Sequence, residues 1–320
     1  MKFTDVVDLL ASTDNTPILL RHPATCAAVA VSPGLVGRVM CSTFDSSAGE
    51  ANGWINQDAI QKGKVDPVFN NFGGEERFWL GPEGGPFGLM FGQKKSNFDN
   101  YLVQPDMTTL SYQVVGKDER SVTLKAEMTL RNTRETEFRL RVERRITLLA
   151  DSPYAVGLPG VADSVAFQSD NVVTNIGVLP WTRESGTLAM WCLGQFLEHP
   201  HLSVLVPVRP AVGASPSAPT VDEYFKDFCL GGLFPPERRI NHDGYVILKA
   251  DGKVRGKIGV KKERAAGRLG SYNPNNEHLI LVDHDFYPES DYATGYWRAY
   301  GDAFDGDALS VYIDGPEKVG

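Results

Sequence analysis

The sequence predicts an all-β protein, a large antiparallel β-sandwich led by one short helix, on three observations. Apolar and polar residues alternate with period two over long stretches. Gly (32) and Pro (20) interrupt the 320 residues at short intervals. No strand–helix–strand alternation of the kind that builds parallel sheets appears.

The clearest element is Val122 to Leu130, where every even position is apolar and every odd one polar. A strand with one buried face requires that pattern, and a helix does not produce it. Phe138, Leu140, Val142, Ile146 and Leu148 continue one parity, while Arg139, Arg141, Glu143 and Arg145 take the other. With a turn over 132–136, residues 121–149 read as a long antiparallel hairpin. Arg144 falls on the apolar parity, and a buried arginine needs a partner. It either forms an internal ion pair or points into a cleft, and Arg255 and Lys257 raise the same question.

Further strands are predicted at Thr25–Val31 and Leu35–Cys41, flanking Ser32-Pro33-Gly34, and at Thr108–Val115, Thr187–Leu193, Leu202–Val208, Tyr245–Ala250, Lys253–Val260, His278–His284 and Ala308–Ile313. Asp251-Gly252 reads as a hairpin dipeptide. Residues 3–12 read as an amphipathic helix with Val6, Leu9 and Leu10 on one side, and Val221–Phe228 as a second helical stretch. The run from Pro207 to Thr220, rich in Pro, Ala and Ser, is a long excursion within one domain spanning residues 1–320, because strands of the same style resume after it.

Composition narrows the function. Lys plus Arg number 32 against 40 Asp plus Glu, a net charge of −8. That balance disfavours a phosphate-tracking nucleic-acid binder and a polybasic membrane anchor. Cys26, Cys41, Cys192 and Cys229 form no CxxC pair, which fits reduced thiols in a cytoplasm. Asp5, Asp8 and Asp14 interrupt the N-terminus, unlike a secretory signal, and no run approaches ~18 apolar residues. The expectation is a soluble cytoplasmic protein. No phosphate loop, HExxH, dinucleotide fingerprint or Ser-His-Asp order is present, so neither cofactor nor metal is expected. His199 and His201 share a face if extended, but no third ligand is nearby.

The densest segment is 70–87, NNFGGEERFWLGPEGGPF. Glycine lets backbone approach a ligand closely. Trp79 and Phe78 supply flat apolar platforms, and Arg77 and the glutamates Glu75, Glu76 and Glu83 supply directional hydrogen bonds. Sugars, with apolar C–H faces and hydroxyl rims, are held by such combinations. The structural alternative is a glycine-rich connection whose aromatics plug the end of the sandwich. Extended backbone would send Glu75 and Arg77 to one side and Glu76 with Phe78 to the other.

The runs PGLVGRVM, GGEERFWLGPEGG, TEFRLRVERRITLL, TNIGVLPW, LAMWCLGQF, VRGKIGV, GSYN and YIDGP, in this order, resemble a bacterial family similar to the galactose mutarotase (aldose 1-epimerase) superfamily. The resemblance covers residues from about 20 to the end. It implies a β-supersandwich with a sugar cleft, and a small-molecule carbohydrate as partner. In that superfamily an acid, usually His, protonates the ring oxygen while a late Glu takes the C1 hydroxyl proton. A His-Gly-x-x-Arg run supplies a sugar-binding Arg. Gly74 and Arg77 match the Gly and Arg of that run, and Gly73 stands where its His would be. Thr174-Asn175 continues with Ile176 where the superfamily has a second His, and Glu317 is the only late glutamate. The acid–base candidates are therefore Glu76 and Glu83, with Glu75, Arg77, Trp79, Asn175, Trp181 and Asp314 as sugar-binding candidates. Two functions follow: an aldose 1-epimerase or related enzyme acting on a hexose or hexose derivative, or a non-catalytic sugar-binding or sensing module.

Overall fold

Why each element forms is visible in which face it buries. The computed structural model describes residues 1–45, 49–63, 66–94, 96–150, 163–210, 220, 236–242, 244–297 and 301–315. They divide into two compact units, one of residues 1–80 and 101–197, the other of 81–100 and 198–320.

The first unit begins with helix α1 (Phe3–Ala11). The backbone amide of Lys2 donates to the Asp5 carboxylate at 3.0 Å, which closes the first turn. Phe3, Val6, Leu9 and Leu10 are buried, as the amphipathic reading requires, and join a core with Ala28, Met40, Ile60 and Phe72. Strands β1 (Ile18–Arg21), β2 (Ala28–Ser32) and β3 (Arg38–Thr43) form an antiparallel sheet, and a 3-10 turn over Pro33–Leu35 links the last two. Helix α2 (Gln57–Lys62) and the single turn α3 (Pro105–Thr108) follow. Strand β4 (Arg77–Gly81) pairs with β9 (Ala189–Leu193).

The largest sheet runs β5 (Gln113–Lys117), β6 (Ser121–Arg131), β7 (Glu137–Leu148), β8 (Phe167–Asn175). The 121–149 hairpin is realised: Val122 pairs with Ile146 and Leu130 with Phe138 in unbroken antiparallel register. Leu124, Leu130, Leu140, Val142 and Ile146 are fully buried, each contributing about 1.5–3 kcal/mol through burial. The register carries this inner face onto β8, where Ser169, Asn171 and Val173 stand opposite Ile146, Arg144 and Val142. The strand predicted over Thr108–Val115 starts only at Gln113. Pro105, with its φ preset for a helical first turn, directs 105–108 into a helical turn instead.

The second unit holds β10 (Ser203–Pro207), β11 (Arg239–His242), β12 (Tyr245–Lys249), β13 (Gly256–Lys261), β14 (Arg268–Asn273), β15 (His278–Asp283) and β16 (Asp307–Ile313). A five-stranded sheet orders them β11-β12-β10-β14-β15, and β13 pairs antiparallel with β16. Val204, Val206, Val246, Leu248, Ile258, Val260 and Val311 form one core cluster. Asp251-Gly252 is not a hairpin turn. Strand β12 already has β10 and β11 on its two sides, so β13 has no edge there to join and pairs with β16. The dipeptide turns a corner between two sheets, with Gly252 at φ 67°. The helical stretch 221–228 and most of the 207–220 excursion lie outside the described residues.

The architecture is thus all-β, built of several antiparallel sheets with a short N-terminal helix. Among the described residues no helix is long and apolar enough to cross a membrane.

Candidate functional site

Two residues ahead of β4, the chain already runs extended beside β3. The Glu76 amide donates to the Val39 carbonyl at 3.1 Å, the Val39 amide to the Glu76 carbonyl at 2.9 Å, and the Glu75 amide to the Met40 carbonyl at 3.1 Å. Alternation then sends Glu75, Arg77 and Trp79 to one face and Glu76, Phe78 and Leu80 to the other.

On the first face Arg77, 6% exposed, lays its guanidinium 4.0 Å from the Trp79 ring centre and 5.8 Å from that of Phe69. Trp79 stacks with Phe69 (5.9 Å, 21°) and with Trp191 of β9 (5.5 Å, 24°), and Tyr101 meets Phe69 edge-on (6.0 Å). Trp79 itself is 3% exposed. Its ring holds the guanidinium over its face, while the half-buried Phe69, Tyr101 and Trp191 carry the aromatic surface to solvent.

Glu75 shares this face. Its Oε1 accepts from Ser42 Oγ at 2.9 Å, and Asn52 Nδ2 donates to the same hydroxyl at 3.2 Å. Its Oε2 is shut from solvent with no hydrogen-bond partner among the described residues. Glu75 keeps some accessible surface elsewhere on the residue, but the carboxyl is deep. Burial raises its pKa to about 7, against the lowering effect of the Ser42 hydrogen bonds and with help from the Glu76 charge. The folded state therefore holds a proton that the unfolded chain releases nearer 4.5. Between those values the folded form binds more protons, so stability falls as pH rises. Glu75→Gln is expected to flatten the pH dependence of the urea midpoint across pH 5–7, removing a slope worth about 3 kcal/mol in total.

On the opposite face Arg144 Nη2 donates to Glu76 Oε2, and Ser169 Oγ donates to Glu76 Oε1 at 3.4 Å. The arginine side chain is fully buried and the glutamate 14% exposed. Of the two roles open to Arg144, the ion pair is the one formed. Arg38 is tied to the Leu35 and Gly73 carbonyls at 2.9 and 2.6 Å. Burial, then the neighbouring Arg77 and Arg144, push its pKa well below the usual value, with Glu76 opposing. The Cys192 thiol beside Glu76 is pushed up to about 12, by desolvation first and then by the Glu76 charge.

The remaining candidates are engaged in contacts of their own. Asn175 closes a turn: its Nδ2 donates to the Leu179 carbonyl and its Oδ1 accepts from the Gly177 amide, both at 2.9 Å. Trp181 meets Phe138 edge-on at 5.7 Å. In the second unit Glu83 Oε2 lies 3.9 Å from Lys257 Nζ. Asp314 Oδ1 accepts from Arg255 Nε at 3.1 Å and from the Tyr312 hydroxyl at 3.0 Å. The structure thus brings Glu75, Arg77 and Trp79 together and places Glu76 behind them. Phe69, Tyr101, Ser42 and Ser169 are not found from the sequence, because each enters across a pairing or loop that only the fold defines. Among the described residues no group of three or more His, Cys, Asp or Glu gathers as a metal site.

The fold is that of the galactose mutarotase-like proteins. A galactose mutarotase-like protein from Lactobacillus casei ATCC 334 superposes with a TM-score of 0.51 at 12% identity, over 83% of this chain and 79% of the other. A candidate aldose 1-epimerase from Escherichia coli K12 (TM-score 0.48, 15% identity) and the Slr1438 protein of Synechocystis sp. PCC 6803 (TM-score 0.48, 14% identity) each cover 83% of this chain and 76% of their own. No curated protein matches the sequence significantly. Residues 1–320 match a family of unknown function, DUF6786, and the chain belongs to that family.

Proposed function

We propose that this protein binds a small-molecule carbohydrate, a hexose or hexose derivative, on the face of β4 that carries Arg77. The observation supporting this reading is the Arg77 guanidinium held over the Trp79 ring amid the half-buried aromatics Phe69, Tyr101 and Trp191. Planar donors fixed beside apolar rings suit a ligand with hydroxyl rims and C–H faces. Glu75 adds a carboxyl held near neutrality on the same side. Activity as an aldose 1-epimerase or related isomerase, with Glu76 and Glu83 in the acid–base chemistry, belongs to this proposal. So do Asn175, Trp181 and Asp314 as further sugar contacts, a single domain over 1–320, and a cytoplasmic location. A non-catalytic sugar-binding module is the second reading, favoured by Glu76 being engaged by Arg144 on the far face of the strand.

The test is tryptophan fluorescence during titration with a panel of aldoses and hexose phosphates, with anomer interconversion followed by polarimetry. Arg77→Lys keeps the charge but loses the planar fork. It is expected to weaken binding about tenfold, or 1.4 kcal/mol. A panel in which no sugar alters the fluorescence, or an Arg77→Lys variant that binds as the parent does, overturns the reading.

A further inference from the structure

In the second unit, β15 is the last strand of its sheet, and its outer edge is open. The His284 amide donates to the Gly267 carbonyl at 3.0 Å, which fixes the phase of the ladder to β14. Hydrogen-bonded pairs recur every second residue along an antiparallel pair. His278, Ile280 and Val282 therefore direct their backbone groups at Asn273, Ser271 and Leu269. Leu279, Leu281 and Asp283 turn theirs the other way. Among the described residues no strand or bridge meets them there.

Such an edge is a template for pairing, and native sheets blunt it with a lysine, a proline or a bulge. Other edges of this molecule are blunted. Strand β5, at one edge of the four-stranded sheet, bulges between Val114 and Gly116 and carries Lys117. Strand β11, at the far edge of the five-stranded sheet, presents Arg239, Asn241 and His242. Strand β15 has no such device. It runs His278-Leu279-Ile280-Leu281-Val282-Asp283 in unbroken register with β14, and Leu279, Leu281 and Val282 are 48%, 37% and 39% exposed. Gly270 stands opposite Leu281, and a Cβ there would lie 2.9 Å from Leu281 Cδ2. The leucine leans inward over the glycine, away from the open edge.

We infer that this edge binds a second copy of the chain, the two β15 strands pairing antiparallel about a two-fold axis at Ile280. The inference goes beyond the carbohydrate reading and does not depend on it. A strand repeated by a two-fold axis meets itself antiparallel, and residues directly opposite share a face of the sheet. Only registers centred on a residue satisfy both conditions. Centred on Ile280, Leu279 stands opposite Leu281 of the second copy, and each such pair exchanges two N–H···O bonds between groups that are otherwise open. Ile280 then meets Ile280 and His278 meets Val282, so the aliphatic run matches itself. Centred on Leu281, the strand would instead set Leu279 against the Asp283 carboxylate and His278 against His284. Glu277, at φ 56°, turns the chain out of the strand, so the pairing stops at His278. The edge is about 20 Å long and about 10 Å deep, small beside the roughly 800 Å² per partner of a standard interface. The dimer is therefore one that dissociates on dilution.

The test is analytical ultracentrifugation of the full chain over a dilution series from submillimolar to nanomolar, where the mass is expected to pass from two copies to one. Leu281→Pro removes an N–H that points away from β14 and leaves that ladder whole. Leu279→Lys sets a charge against an aliphatic side chain of the second copy. Each is expected to raise the dissociation constant about tenfold or more while circular dichroism still reports the folded sheet. The lysine variant keeps the proposal falsifiable if the proline variant fails to fold. Ile280→Cys is expected to form a disulfide between copies on mild oxidation, because a non-hydrogen-bonded pair holds its Cα atoms about 4.5 Å apart. Leu281→Cys is expected to cross-link no more than the parent, whose Cys26 and Cys192 are exposed. The proposal is overturned by a parent of single-copy mass throughout the series, or by a folded Leu279→Lys variant that dimerises as the parent does. Failure of Ile280→Cys to cross-link above the parent, or cross-linking at 281 in its place, overturns it equally.

Discussion

Replacing Arg144 with methionine lowers stability by about 3–5 kcal/mol, read as a shifted urea midpoint at unchanged slope. Removing one partner of a buried ion pair strands the other charge, and that penalty reaches this size. The arginine side chain is fully buried and its partner Glu76 is 14% exposed, so little solvent can screen the orphaned carboxylate. The guanidinium also lies 5.6 Å from the Phe78 ring centre, a cation–ring attraction that methionine does not replace. Glu76→Gln alone leaves the arginine with a neutral acceptor. Adding it to Arg144→Met removes the stranded charge, so the double variant is expected to be more stable than Arg144→Met alone. Strict additivity of the two single effects would mean that the pair is not coupled, and a loss under about 1 kcal/mol would place it among weakly contributing surface pairs.

This pair shows what the sequence makes legible. Parity alone places Arg144 among buried positions, since Val142 and Ile146 on either side belong to the same inner face. Burial then demands a partner. Parity gives no means of naming Glu76, because the bond joins residues 68 apart through a strand, β4, that the glycine-rich composition of 70–87 conceals. The strands divide in the same way. The hairpin 121–149 is visible because one face is wet and one dry. Strands β1, β4, β8, β11 and β14 escape the sequence: β4 is buried on both faces, β8 puts polar Ser169 and Asn171 on its less exposed face and Val172 on its exposed one, and β14 is half-buried without clear alternation. The Asp251-Gly252 turn misleads for a topological reason: a two-residue turn reports a change of direction, and which strand pairs next depends on where a free edge remains.

The candidate site is legible to a similar depth. Alternation correctly sends Glu75 and Arg77 to one side and Glu76 and Phe78 to the other, and that division separates Glu75 from Glu76 as partners on one substrate. What lies over Arg77 and Trp79 is hidden in part, since Phe69 and Tyr101 come from loops. In the sequence Lys257 is only an alternating cation, and its approach to Glu83 depends on how the 82–88 loop folds.

Gly73→His is expected to destabilise the protein by about 3 kcal/mol or more and to confer no gain in anomer interconversion. The resemblance to mutarotases puts a histidine at this position, which makes the substitution look like a restoration. The backbone refuses it. Gly73 has φ 80°, where side chains are strained, and its Cβ would lie 2.1 Å from the Trp54 carbonyl oxygen and 3.0 Å from Ile55 Cα. Those are backbone atoms in use: the Trp54 carbonyl accepts from the Gly74 amide at 2.8 Å, and the Trp54 amide donates to the Gln195 carbonyl at 2.7 Å. Making room would also move the Gly73 carbonyl off Arg38 Nη1, leaving a buried guanidinium under-bonded. Because the clash begins at Cβ, Gly73→Ala should cost nearly as much as Gly73→His. If alanine were tolerated and only histidine harmful, the obstacle would be the imidazole's size rather than the backbone. Equal losses would show that the chain path at 73 excludes every side chain, so that an acid acting on a sugar in this protein has to come from a different residue.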